Sequence, residues 1–179
     1  GMTETASHVA LRKINGPKAS NVYTGIGDVH FSVVPSGCLA IYGEVTNFEK
    51  INTNDKVHLI DDQTFEWIGR LDNTINSGGL KISPEALEAS ISKQFAIMGQ
   101  QMSFFVSSLP DEKLGEKVIL LVEGTPVELE ESFRKINKFE RPREVYFIDK
   151  FIRTSTNKIH RRNTKSLIKP NNLHKASNL

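Results

Sequence analysis

Residues 65–88 read Phe65-Glu66-Trp67-Ile68-Gly69-Arg70-Leu71-Asp72-Asn73-Thr74-Ile75-Asn76-Ser77-Gly78-Gly79-Leu80-Lys81-Ile82-Ser83-Pro84-Glu85-Ala86-Leu87-Glu88, and the pattern changes character inside that run. Phe65 to Arg70 is a short aromatic-rich strand. Asn76-Ser77-Gly78-Gly79 is turn chemistry and reads as a loop. Ser83-Pro84-Glu85 then opens a helix, with the serine oxygen as N-cap and proline at the first position, where its missing N–H is no loss. Leu87 and Ile91 stand four apart, with Ala86 and Ser90 beside them, so the helix from Pro84 to about Lys93 buries one face. A boundary between two architectures falls near residue 72.

Upstream, Val29 to Val34 and Leu39 to Val45 flank the turn Pro35-Ser36-Gly37. Val57 to Ile60 and Phe65 to Arg70 flank Asp61-Asp62-Gln63, so residues 1–71 read as β-rich hairpins. Downstream, Ser103 to Ser108, Lys117 to Glu123 and Glu144 to Ile148 are strand candidates. Val127 to Phe139 is a helix candidate with Leu129, Phe133 and Ile136 on one stripe. The order helix, strand, strand, helix, strand describes a small α/β layer with its own core over residues 72–179. The polar tail after Pro170 reads as frayed.

Bulk properties narrow the function classes. The chain of 179 residues is 38% hydrophobic and 25% charged, which excludes collagenous and disordered chains. Its 23 basic and 21 acidic side chains leave a net charge of +2, too small to argue for nucleic acid or a membrane surface. The most apolar run, Val118 to Val122, is far shorter than the roughly 20 residues of a membrane span, so no insertion is expected. One cysteine, Cys38, forms no internal disulfide and fits a reducing cytoplasm. Gly1-Met2 reads either as a tag remnant before a start or as a native pair.

His8, His30, His58, His160 and His174 lack metal-ligand spacing, and no zinc is expected. Lys158, Arg161, Arg162, Lys165, Lys169 and Lys175 form a basic run without interleaved aromatics, which reads as a solvated helix face. Thr3-Glu4 is open between two readings: a helix start with a first-turn acid, or a hydroxyl and carboxylate suited to phosphate oxygens and Mg²⁺.

The whole of residues 65–88 resembles the hinge segment of the adenylate-forming superfamily of acyl-CoA synthetases, luciferases and peptide-synthetase adenylation domains. That segment reads Gly-Arg-x-Asp, a Gly-rich loop, Lys, then Pro-x-x-(Leu/Ile/Val)-Glu. Other family motifs follow in order: Gly-x-Thr-Glu at Gly1 to Glu4, and Thr53-Asn54-Asp55 for Thr-Gly-Asp. Pro110-Asp111-Glu112-Lys113-Leu114-Gly115-Glu116 stands for Pro-Asp-Glu-x-Leu-Gly-Glu, and Thr154 to Arg161 for Thr-x-x-Gly-Lys-x-x-Arg. Within the superfamily, the opening Gly1 to Arg12 and Asn54 look most like the O-succinylbenzoate–CoA ligases of menaquinone biosynthesis.

The resemblance implies an α+β fold: the β-rich, distorted-barrel end of a large AMP-binding N-terminal domain, then a small, mobile α/β lid. It implies that Thr3 contacts the α-phosphate of ATP, Glu4 ligates Mg²⁺, and Asp55 and Arg70 hold the ribose. It further implies that Lys158 stabilises charge at the phosphorus during adenylation and that Asp72 is the hinge. Gly78, Gly79 and Lys81 would line the CoA channel. Two family glycines are replaced by Asn54 and Asn157; asparagine accepts positive φ more readily than other non-glycine residues, so both turns are expected to persist. Ile152 stands where the family often has proline and is expected to loosen that loop.

The phosphate loop, adenine pocket and acid-binding cavity of such enzymes are not among these residues. The chain is therefore expected to need an N-terminal catalytic portion as partner, to act with it on a small carboxylic acid, ATP and CoA, and to be inactive alone. Two alternatives stand beside this: a different acyl or aryl acid, or a stand-alone, non-enzymatic C-terminal binding module.

Overall fold

The computed structural model describes residues 1–169 and 172–175. The chain divides into two compact units, Gly1–Asn73 and Thr74–Leu179. No helix among the described residues is long and apolar enough to cross a membrane.

The first unit is built on strands β1 (Ala10–Leu11), β2 (Val22–Gly25), β3 (His30–Val33), β4 (Cys38–Tyr42), β5 (Ile51–Leu59) and β6 (Thr64–Arg70). They form one antiparallel sheet in the order β1-β2-β6-β5-β4-β3. The expected barrel-like hairpins are present as an open sheet: β1 and β3 are its edges and do not pair with each other. One face gathers Val9, Val29, Phe31, Leu39, Ile41, Val57 and Phe65 into a core. Phe31 meets Phe65 edge-on at 4.9 Å between ring centroids, a favoured aromatic geometry. The turn between β5 and β6 closes because Asp61 Oδ1 accepts the Gln63 N–H at 2.8 Å, an aspartate turn.

The second unit carries β7 (Ile75–Ser77), β8 (Leu80–Ile82), α1 (Pro84–Ile97), β9 (Phe104–Asp111), β10 (Gly115–Glu123), α2 (Glu130–Phe133), β11 (Glu144–Ile148), α3 (Arg161–Lys165) and β12 (Leu173–Lys175). β10 is central, antiparallel to β9 and parallel to β11. Val118 to Val122 are each at most 1% exposed, so this apolar run is buried on both sides, as a central strand requires. Its alternate residues feed two cores. Val118, Leu120 and Val122 pack with Leu87, Ile91 and Phe95 of α1 and with Leu129, Phe133 and Ile136. Ile119 and Leu121 pack with Phe105, Tyr146, Phe151 and the partly buried Ile159. Each such side chain contributes about 1.5–3 kcal/mol by leaving water.

Three expectations are corrected here. Asn76 to Gly79 is not a loop but the tip of the β7–β8 hairpin; Gly78 and Gly79 take φ of 56° and 83°, the two positive values of a type I′ turn. The helix read over 127–139 is one turn, Glu130–Phe133. Its N-cap Leu129 offers no side-chain acceptor, and Asn137 Oδ1 takes the Phe139 N–H at 3.1 Å in a competing turn. Arg141 then donates to the carbonyls of Ile136 at 2.9 Å and Arg134 at 2.8 Å. Finally, part of the tail read as frayed is ordered: β12 pairs with β11 through Leu173↔Tyr146. Residues 170, 171 and 176–179 lie outside the described residues.

Helix α1 begins as expected, with Ser83 Oγ accepting the Ala86 N–H at 3.3 Å. It runs on to Ile97 and stops at Gly99, whose φ is 68°. Gln100 N–H donates to Phe95 O at 2.9 Å and Gly99 N–H to Ala96 O at 3.1 Å, a Schellman ending.

Candidate functional site

Within the first unit, Thr3 and Glu4 lie exposed on a 3₁₀ turn, Thr3–Thr5. Thr5, only 2% exposed, anchors that turn by donating its hydroxyl to Ser7 O at 3.0 Å. Asp55 and Arg70 are directly opposed in the β5–β6 register. Beyond them the register shifts: Lys56 pairs with Gly69 and Val57 with Trp67, leaving Ile68 as the extra residue of a β-bulge. Val57 and Asp55 share a face, being two apart, so the bulge brings Trp67 to the side of Asp55. The Trp67 indole N–H donates to Asp55 Oδ1 at 3.0 Å. That bond uses one of about four lone-pair positions of the carboxylate and leaves the others for a vicinal diol.

Trp67 also lines a cleft of about 260 Å³ with Gly1, Met2, Tyr23, Leu39, Ile41 and Phe65. The sheet thus joins the Thr3-Glu4 turn, through its neighbour Met2, to the Trp67–Asp55–Arg70 group. Sequence reading misses Trp67: its place two residues before Gly69-Arg70 is plain, but its reach to Asp55 depends on the bulge.

Arg70 is engaged as well. Its Nε and Nη2 donate to the two carboxylate oxygens of Asp72, each at 2.9 Å. This bidentate pair holds the Asp72 carboxyl below its ordinary range. The residue expected to hold ribose and the residue expected to be the hinge are therefore bound to each other. Asn54, expected at positive φ, instead lies within β5 at an ordinary strand φ. A strand leaves no left-handed position for it to fill.

As for metal, no group of three or more His, Cys, Asp or Glu among the described residues is arranged to hold an ion. A lone exposed carboxylate such as Glu4 fits Mg²⁺ that arrives with its own phosphate and water oxygens, the usual way that ion is bound.

In the second unit, Lys158 is exposed on a tight turn between bridged residues Arg153 and Ile159. Thr154 N–H donates to Lys158 O at 2.8 Å, and Lys158 N–H to Thr154 Oγ1 at 3.2 Å. Asn157 stands at φ 63°, the left-handed conformation expected of it. Ile152 does not loosen the loop. Its N–H donates to Thr164 Oγ1 at 3.1 Å, and its carbonyl accepts both that hydroxyl at 3.3 Å and the His160 N–H at 2.8 Å. Proline could not supply the first of these bonds.

Gly78, Gly79 and Lys81 lie exposed on the β7–β8 hairpin. Leu114 to Glu116 hold that hairpin in place. Gly78 N–H donates to Leu114 O at 2.9 Å, and Asn76 N–H to Glu116 Oε2 at 2.8 Å. A Cβ on Gly78 would sit 3.2 Å from Leu114 Cδ2. Arg161, read as part of a solvated basic face, forms a bidentate pair with Glu88 at 2.7 and 2.8 Å.

No family model matches the chain. A 3-oxocholest-4-en-26-oate–CoA ligase from Rhodococcus rhodochrous is 34% identical over 104 residues, 54% of this chain and 18% of that protein. An oxalate–CoA ligase from Arabidopsis thaliana is 34% identical over 122 residues, 64% of this chain and 23% of that protein. Among solved structures, an AMP-forming acyl-CoA synthetase/AMP-acid ligase II-like protein from Dyadobacter fermentans is 40% identical, with a TM-score of 0.53 over 93% of this chain and 49% of that one. The o-succinylbenzoate CoA synthetase of Bacillus subtilis, bound to its acyl-adenylate, gives a TM-score of 0.71 at 19% identity, over 94% of this chain and 40% of that one. At that identity the likeness is one of fold.

The fold is that of a fragment of the AMP-forming ligases. The chain spans about a fifth of the length of the curated relatives it matches. Its relatives are acyl-CoA ligases and its structural neighbours AMP-forming ligases, which supports a place in the C-terminal part of the adenylate-forming superfamily.

Proposed function

We propose that the chain is part of an ATP-dependent acid–CoA ligase that adenylates a carboxylate, O-succinylbenzoate, and passes the acyl group to CoA in the cytoplasm. Residues 1–71 are the end of the AMP-binding domain and 72–179 the mobile domain that carries Lys158. Thr3 contacts the α-phosphate, Glu4 ligates Mg²⁺ held with the nucleotide, and Asp55 accepts hydrogen bonds from the ribose hydroxyls beside Arg70. The Lys158 ammonium offsets the negative charge that builds on the phosphoryl oxygens as the carboxylate attacks. Asp72 is the hinge, and the small residues Gly78 and Gly79, with Lys81, line the path of the pantetheine arm.

What supports this reading is the backbone of the lysine turn. Asn157 keeps the left-handed conformation at a position where the family has glycine, and bonds between Thr154 and Lys158 close the short loop with Lys158 exposed. A solvated tail would have no reason to do so.

The test is Lys158→Ala in the ligase assembled with its N-terminal portion. Pyrophosphate exchange is expected to fall about a hundredfold to a thousandfold; an unchanged rate ends the proposal. The 179-residue chain alone is expected to show no exchange, and robust exchange would refute its dependence on the missing portion. A panel of carboxylates read by pyrophosphate release tests the acid: turnover of another acid with silence toward O-succinylbenzoate overturns that assignment.

A further inference from the structure

Both ends of the Lys158 turn are tied down by the same device. At its start, Arg153 Nη2 pairs with Glu123 Oε2, and the other oxygen of Glu123 accepts the Phe151 N–H at 2.8 Å. At its end, Arg161 pairs bidentately with Glu88, whose Oε1 also accepts the Val106 N–H at 2.8 Å. Each carboxylate thus binds one backbone N–H and one guanidinium. The Arg153–Glu123 pair is the more shielded, with side-chain exposures of 29% and 19%, while in the other pair Glu88 is 18% exposed and Arg161 44%, so solvent screens that pair more. The two acids come from separate elements, Glu88 from α1 and Glu123 from the end of β10. Arg161 further lies 5.4 Å over the Phe105 ring.

The fork of Arg161 is taken up by both oxygens of Glu88 and is not at hand for a phosphate, whereas Arg153 is held to Glu123 through Nη2. Lys158 itself makes no ion pair among the described residues. We infer that Arg153 and Arg161 are positioning residues, two clamps that fix the Lys158 turn to β10 and α1. This rests on the proposed role of Lys158. A flexible ammonium gains most from a rigid base, because a displacement of about 1 Å at a reacting centre can cost about a hundredfold in rate.

Arg153→Lys and Arg161→Lys, singly and together, keep the charge but lose the planar fork. In the 179-residue chain, amide exchange at Asn157 and Lys158 is expected to quicken at least tenfold in the double variant, with Val118 to Val122 unaltered. In the assembled ligase, adenylation is expected to fall roughly tenfold to a hundredfold, while CoA transfer from preformed acyl-adenylate keeps its rate. Unchanged exchange at the turn overturns the inference, as does faster exchange without loss of adenylation. Equal loss in both half-reactions also overturns it, because general destabilisation would do that. If Lys158→Ala alone is silent in adenylation, the proposed function fails, and the exchange data still decide whether the clamps hold the turn.

Discussion

Glu144 sits between Lys117 Nζ at 2.6 Å and the Tyr146 hydroxyl at 2.6 Å. Burial opposes its ionisation, but these two donors outweigh burial and hold its carboxyl below the ordinary 4.5. A carboxyl depressed on folding contributes stability above its unfolded pKa and loses that contribution as pH falls through the folded value. The gap in urea stability between the native chain and Glu144→Gln is therefore expected to narrow from about pH 4.5 downward; a pH-independent gap would contradict this. At this scale the sequence was legible where a side chain acts alone. Asp55, Arg70 and Lys158 can be singled out by type and motif, but their bonded neighbours cannot. Glu88 and Arg161 stand in the same motifs, yet their bond spans 73 positions and depends on β9, whose Val106 N–H meets Glu88 and whose Phe105 lies under Arg161. The two asparagines diverge for a similar reason: Asn157 ends a free turn, whereas Asn54 is committed to a ladder.

At the scale of elements, Thr164 is the hidden support of the lysine loop, fully buried with its hydroxyl bonded to both the N–H and the carbonyl of Ile152. Thr164→Val keeps the volume and strands the Ile152 N–H, while the carbonyl keeps its bond from His160 N–H, and is expected to cost about 1–3 kcal/mol in chemical denaturation; an unaltered midpoint would remove it from that role. Gly79 at φ 83° has open space around it, so Gly79→Ala is expected to cost only the left-handed penalty of about 1–2 kcal/mol. Gly78→Ala is expected to cost more, because Leu114 must also move, and reversal of this order would contradict the type I′ assignment. Helix α1 and the central strands were readable from period and caps. The β7–β8 hairpin was not, because three-residue strands carry no period and their partner, Gly115, lies far along the chain. The stripe Leu129, Phe133 and Ile136 was read correctly as buried. A helix was inferred from it because one buried face does not distinguish a helix from a turn followed by a capped bend.

Across the molecule, every residue of the two cores around β10 lies beyond residue 74, and every residue of the β1–β6 core lies before residue 66. Residues 74–179 produced alone are therefore expected to unfold in one cooperative transition. A broad, probe-dependent melt would show that their cores depend on the rest. The change from β-rich hairpins to a helix-backed sheet is legible because the first helix start with a serine cap and proline, Ser83-Pro84, comes only after residue 72. Closure was not: whether hairpins curl into a barrel depends on edge pairing, which no local pattern encodes.

Trp67 is the sole tryptophan in the chain, and its indole N–H rests on Asp55. The molecule thus comes with its own optical reporter on the carboxylate proposed to grasp ribose. A sugar hydroxyl that draws Asp55 away would alter the indole emission, and binding could be followed by light alone, with no label attached and no turnover required.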